Sequence, residues 1–206
     1  MEDLENMKRK KSLFSEIYKL DHQTGCYMIE IALDQYADIF NEWDPAPFKR
    51  RDIDPDLQLY LEESSNEIPF RRPIELCFTV PEAVLDDKTE QEARDGLKNS
   101  FGFKIYFLKK DIQKLNARML RFVVIGFAFL WIGTIFSLRY KEEQIIPYTL
   151  IQGLFISGWV FLWEAVSLIF FTNRDLYHRY RTYKRLQDAP ILFKPSENST
   201  PAESST

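Results

Sequence analysis

Glu164 is the residue whose type and setting most invite chemistry. It is the only charged residue in the run Tyr148–Phe171 and lies seven residues before its end. As a helix that places it about 10 Å inside the run, at ~1.5 Å per residue. A carboxylate in hydrocarbon costs at least ~2.5 kcal/mol, so its presence needs a reason. One reason is an ion or proton contact inside an oligomeric bundle, or a switchable interhelical hydrogen bond. A plainer one is a protonated or snorkelling side chain that bonds to a neighbouring helix.

The second stretch with chemical potential is Phe40–Pro55. It holds Glu42, Asp44, Asp52 and Asp54, the cations Lys49, Arg50 and Arg51, three prolines, and the aromatic residues Trp43 and Phe48. Trp43, Asp44, Phe48, Arg50, Arg51, Asp52 and Asp54 read as a ligand or partner surface in which the two arginines reach an anion. The plainer alternative is a rigid connection. In it Asp52 and Asp54 cap, the prolines hold φ, and Trp43 and Phe48 plug the core.

Signatures of catalysis are missing. His22 and His178 are the only histidines and stand far apart in the chain, which argues against a histidine metal site or triad. There is no glycine-rich phosphate loop. No catalytic residue, metal ligand or cofactor is assigned. Cys26 and Cys77 sit in apolar runs and read as reduced, buried thiols. Asp86-Asp87 suits the N-terminus of a helix better than a metal.

The elements that must position these groups begin with two apolar runs, residues 122–138 and 148–171. Each approaches the ~20 residues that span ~30 Å of hydrocarbon as a helix. Lys109, Lys110, Lys114, Arg118 and Arg121 precede the first run. Arg174, Arg179, Arg181, Lys184 and Arg185 follow the second, and only Arg139 and Lys141 lie between the runs. That bias predicts a multi-pass hairpin with both termini cytoplasmic. The N-terminus has basic residues but no apolar segment behind them, unlike a secretory signal. A net charge of −4 argues against nucleic acid as a partner. The expected partners are the lipid bilayer, a second copy of the chain and a cytosolic protein.

The predicted fold is a small α+β cytosolic domain (β-β-α-α-β-α) followed by a two-helix transmembrane hairpin. A charged segment covers residues 1–12 and the α+β domain residues 13–88. Leu13–Leu20 and Cys26–Leu33 read as a β-hairpin turning at Gly25. Gln35–Trp43 reads as a short helix. Asp54-Pro55 opens another, and residues 73–81 form a strand bracketed by prolines. Thr89 and Glu92 read as a capping box opening a long, basic, amphipathic helix over 89–121. Phe101, Ile105, Leu108, Ile112, Leu115 and Met119 recur at three- and four-residue steps along it. The helix covers the sheet, pairs with a second copy as a coiled coil, or lies on anionic lipid. The hairpin occupies 122–171. Residues 172–195 form a basic helix and an edge strand, and 196–206 a disordered tail.

The pattern Phe-Asn-x-Trp-Asp-Pro-x-Pro-Phe-x-x-Arg-Asp-x-Asp at Phe40–Asp54 resembles one in small uncharacterised bacterial membrane proteins. These have a short N-terminal cytosolic domain followed by two transmembrane helices. The resemblance, over residues 27–193, implies a bacterial inner-membrane location and the two-span plan. It carries over no catalytic residue. The resulting expectation is a membrane-anchored, non-enzymatic sensor or adaptor that binds a protein or small anionic ligand. The alternative is an oligomeric effector that permeabilises the bilayer, as in bacterial defence.

Overall fold

The computed structural model describes residues 17–140 and 145–196. Within them the chain divides into two compact units, one of residues 17–105 and 181–196, the other of residues 106–140 and 145–180.

The first unit is built on three strands, β1 (Tyr27–Ala32), β2 (Ile74–Val80) and β3 (Ile191–Pro195), in the order β1-β2-β3. Both pairings are parallel, with Ile29 opposite Leu76 and Cys77 opposite Leu192. Parallel neighbours require long crossovers. Helix α1 (Pro55–Glu67) lies in the first, and everything from α2 (Asp87–Arg139) to α4 (Asn173–Asp188) lies in the second. β2 is central and buried on both faces except at Thr79, as the middle strand of a parallel sheet must be. Ile29, Ile31, Ile74, Leu76, Phe78, Val80 and Ile191 are buried on one face. Leu57 and Leu61 of α1, Ala93, Leu97 and Phe101 of α2, and Tyr183 and Leu186 of α4 complete the core. Each large apolar side chain buried there contributes roughly 1.5–3 kcal/mol.

This order corrects the expected β-β-α-α-β-α. The hairpin shrinks to a single antiparallel bridge, Leu20 with Tyr27. Its turn is real: Gly25 takes φ 69° and the Asp21 N–H donates to the Cys26 carbonyl at 2.9 Å. Beyond the bridge β1 takes its ladder from β2, which offers a longer apolar partner. Residues 13–16 of the expected first strand lie outside the described residues. The helix expected over Gln35–Trp43 is only a 3-10 turn, Tyr36–Ile39. Phe40 leaves it in extended conformation to pair with Ile53.

Other expectations hold. Asp54 caps α1 by accepting from the Asp56 and Leu57 N–H groups, with Pro55 at the first position. The strand between prolines is β2, and β3 is an edge strand. Helix α2 is capped differently from the reading. The Asp86 carboxylate accepts from the Thr89 N–H at 2.9 Å, so Thr89 lies inside the first turn and Asp86 does the capping. The adjacent Thr89 hydroxyl and N–H hold the Asp86 carboxyl below the usual carboxylate range. Gly96 does not break α2; a Cβ there would lie 2.4 Å from the Phe48 carbonyl oxygen and 2.8 Å from the Phe40 ring. The glycine lets the Phe40–Phe48 segment lie against the helix.

The 89–121 helix and the first apolar run are one element, α2, with 53 residues. After α3 (Ile145–Ser167) comes a single π-helical turn, Leu168–Thr172, and then α4. The second unit contains the later part of α2, α3 and the start of α4. Its two apolar helices approach at Gly126 and Gly158: a Cβ on either would lie 3.0 Å from the other's carbonyl oxygen. Leu130 and Leu162 flank that point, and Phe129 stacks on Phe161 with centroids 5.6 Å apart. Glycine allows this approach because it has no Cβ.

Phe101, Ile105, Leu108 and Ile112, read as an oligomer seam, are buried within one chain. Leu115 and Met119 are half-buried. The seam is therefore largely filled by the protein itself, because the chain supplies its own packing partners.

Candidate functional site

The segment Phe40–Asp54 is pinned from several directions. Asp44 accepts from the Ala46 and Asp52 N–H groups, each at 3.0 Å. Those two bonds hold its carboxyl below the usual range. Arg51 donates to the Ala46 carbonyl at 2.9 Å, and its guanidinium sits 5.3 Å from the centre of the Phe48 ring. Phe48 stacks on buried Phe40 at 5.0 Å. Asp52 accepts from the Ser100 hydroxyl at 3.1 Å and lies 3.9 Å from the Lys104 ammonium. Asn99 donates to the Lys49 carbonyl at 2.9 Å, fixing the segment further to α2.

Of the seven residues read as a binding surface, five therefore serve the loop or the helix it caps: Asp44, Phe48, Arg51, Asp52 and Asp54. Two face outward. Trp43 is 93 % exposed, the reverse of a core plug. Its N–H donates to the Asn41 side chain at 3.0 Å, so its backbone is held while the indole points to solvent. Arg50 is exposed and, among the described residues, forms no ion pair. The motif showed an aromatic residue among charges; its exposure in the folded chain shows which way it turns.

A second polar centre escaped the sequence reading. The Arg185 guanidinium donates to four carbonyls: Ser65 at 2.6 Å, Ile68 at 2.7 Å, Pro69 at 3.2 Å and Arg72 at 2.6 Å. It also lies 5.3 Å from the centre of the Phe70 ring, with Arg181 at 4.8 Å from it. These carbonyls are at the C-terminal end of α1 and in the loop to β2, where helix carbonyls lack partners and favour a cation. Burial pulls the Arg185 pKa below its ordinary value. Next to it, Tyr183 donates to the Glu62 carboxylate, Gln58 donates to the Tyr183 hydroxyl at 2.8 Å, and Thr182 donates to Asn66 at 2.7 Å. The basic α4 is therefore locked to α1 by a polar seam.

Beside β1 and α1, a cavity of about 410 Å³ is lined by Tyr18, Met28, Glu30, Tyr60, Glu63 and Glu67, among others. Tyr18 donates to Glu67 at 2.6 Å. Burial, with that bond and the Glu67 charge, pushes the Tyr18 phenol up to about 12. The rim is acidic, the wrong sign for an anion. Among the described residues, no three His, Cys, Asp or Glu side chains converge on a metal position. Cys26 and Cys77 are free and buried, and burial raises the Cys77 pKa.

Glu164 is exposed on α3. The buried residues of that helix are Ile151, Gly158 and Ala165, and Glu164 lies off that stripe. It has no hydrogen-bonding partner among the described residues. Gly153, earlier on the same helix, faces open space: a Cβ added there would meet no atom within 4 Å. Comparison with known protein families, with curated proteins and with solved structures finds no match.

Proposed function

We propose that this protein is a membrane-anchored, non-enzymatic adaptor. Its sheet unit offers Trp43 and Arg50 to a cytosolic protein, and its two apolar helices cross the bacterial inner membrane with both termini cytoplasmic.

The observation that carries the membrane part is exposure. Two helices are long and apolar enough to cross a bilayer, and only 11 % of the most apolar stretch of each is buried. A core helix of a water-soluble protein buries most of such a stretch. The flanking lysines and arginines favour cytoplasmic ends. Continuity supports coupling. α2 contributes Ala93, Leu97 and Phe101 to the sheet core, and the same helix runs on as the first apolar segment. α4 contributes Tyr183 and Leu186 and follows the second apolar segment after one π turn.

The binding part rests on Trp43. An exposed tryptophan on a backbone already fixed by hydrogen bonds resembles the aromatic anchors that dominate protein interfaces. In cells producing the full chain, Trp43→Ala should cut recovery of a defined cross-linked partner by about 30-fold, the size of an interface hot spot. Leu59→Ser, at another exposed apolar position, should leave it unchanged. Equal recovery with both variants ends this reading.

The outward Glu164 favours a second reading, in which several copies assemble with that carboxylate turned inward and permeabilise the bilayer. Overproduction of the wild-type chain would then depolarise cells, and Glu164→Gln would not. An unchanged membrane potential with the wild type removes it.

A further inference from the structure

Residues 106–121 of α2 and 172–180, from the π turn into α4, flank the apolar segments within the second unit. Together they carry seven lysines and arginines against two aspartates, a net of +5, in a chain whose net charge is −4. All seven cations are exposed.

We propose that Arg118, Arg121 and Arg174 form a phosphate-binding collar that takes the headgroups of anionic phospholipids. This rests on the reading that the second unit crosses a bilayer. Arg121 adjoins Phe122, Arg118 lies one turn before it, and Arg174 follows Phe171 by three residues. At ~1.5 Å per residue each lies within about 6 Å of the end of its own apolar segment, where headgroups border the hydrocarbon.

The local geometry fits this depth. The Arg118 guanidinium sits 5.4 Å from the centre of the Phe122 ring, so its side chain leans toward the apolar end. Phe122 in turn lies 6.0 Å from Phe161 across the helical pair. Phe170 and Phe171 are exposed just before Arg174, so apolar surface reaches up to that cation.

Position and charge availability together single out these arginines: Lys110 also forms no ion pair among the described residues but lies eight residues farther from the apolar segment than Arg118 does. Asp111, one of the two acids, is held by Lys114 at 2.9 Å. Among the described residues, none of the three arginines is in an ion pair. Each guanidinium therefore has its donor fork free, and that fork matches two phosphate oxygens. Lys109 is farther out and is engaged with the Tyr180 ring at 5.7 Å. It adds long-range attraction to an anionic surface.

The test uses the full chain in neutral detergent, with phosphatidylglycerol or phosphatidylcholine added and bound lipid counted by native mass spectrometry. The wild type should retain phosphatidylglycerol over phosphatidylcholine, by about five-fold per arginine. Arg118→Gln, Arg121→Gln and Arg174→Gln together should bring the preference close to unity, with unchanged circular dichroism. If that triple variant fails to fold, Arg121→Gln alone should lower the preference by about five-fold. Neutralising Arg71, Lys88 and Lys98 of the sheet unit should change nothing.

Equal retention of the two lipids by the wild type overturns the proposal, as does a preference that survives the triple variant. Displacement of bound lipid by millimolar glycerol phosphate would reveal a site for free phosphate and also overturn it. Failure of the membrane reading has its own signature: alkaline carbonate would then release the chain from cell membranes without detergent.

Discussion

The two units solve the packing problem in opposite ways. The sheet unit hides its large apolar residues, with Phe78, Phe101, Leu97 and Leu186 fully buried, and ties its helices together through Arg185, Tyr183 and Thr182. The helical unit turns Phe127, Trp131, Trp159 and Trp163 outward and brings its helices together where side chains vanish, at Gly126 and Gly158. In water, burial of apolar surface drives packing and leaves polar clamps to select the arrangement. In lipid the surroundings are as apolar as leucine, so close backbone approach has to supply the attraction. The contrast is what the proposed insertion of the helical unit in a bilayer would require.

The sharpest way to break this comparison is to truncate a phenylalanine in each unit. Phe101→Ala should cost about 3–5 kcal/mol through cavity formation, while Phe127→Ala, exposed by 60 %, should cost under ~1 kcal/mol in detergent. Equal losses of thermal stability would refute the division. Next comes the clamp: Arg185→Met removes charged donors from four carbonyls and should destabilise by about 2–4 kcal/mol. Arg185→Lys should recover only part of it, because an ammonium cannot reproduce the fork. Denaturant titration of both variants reads the difference.

Gly158→Ala should be felt more modestly, by about 1–3 kcal/mol, since its Cβ would meet Leu130 at 2.7 Å and the Gly126 carbonyl oxygen at 3.0 Å. Gly153→Ala, with open space around it, should be neutral or slightly stabilising in the same melts. A reversed order would place the helix contact elsewhere.

The smallest effects concern pH, and the sheet unit should show them at both ends. The Asp44 and Asp86 carboxyls are held below their ordinary value. Their stabilisation is present above pH ~4 and lost as the pH falls through the lowered pKa. Asp44→Asn and Asp86→Asn should flatten the acid limb. Tyr18 is the opposite case. With its pKa raised to about 12, its contribution is complete below pH ~10 and lost as the pH rises toward the folded value. Tyr18→Phe should remove that alkaline slope in a pH series of melting curves.

Much of this was written locally. Asp54-Pro55 starts α1 and prolines bracket β2, because caps and φ restrictions act within a few residues. Asp86 and Thr89 show the limit of that locality. Both are good caps, three residues apart, and the choice went to the one whose carboxylate accepts from both the hydroxyl and the N–H of the other. The coiled-coil seam was visible as a spacing, but a spacing does not name its partner, and burial within the chain does.

The two apolar segments, their basic flanks and the carboxylate among them follow from length and composition alone. That the sheet is parallel, that Trp43 faces solvent, that Arg185 closes the end of α1 and that Glu164 lies off the Gly126–Gly158 contact emerge in the folded chain. Each of these depends on groups apart in the chain meeting in space: β1 with β2, the Phe40–Asp54 segment with α2, α4 with α1, and Gly126 with Gly158. No local preference encodes which of several acceptable partners a strand or a guanidinium will find.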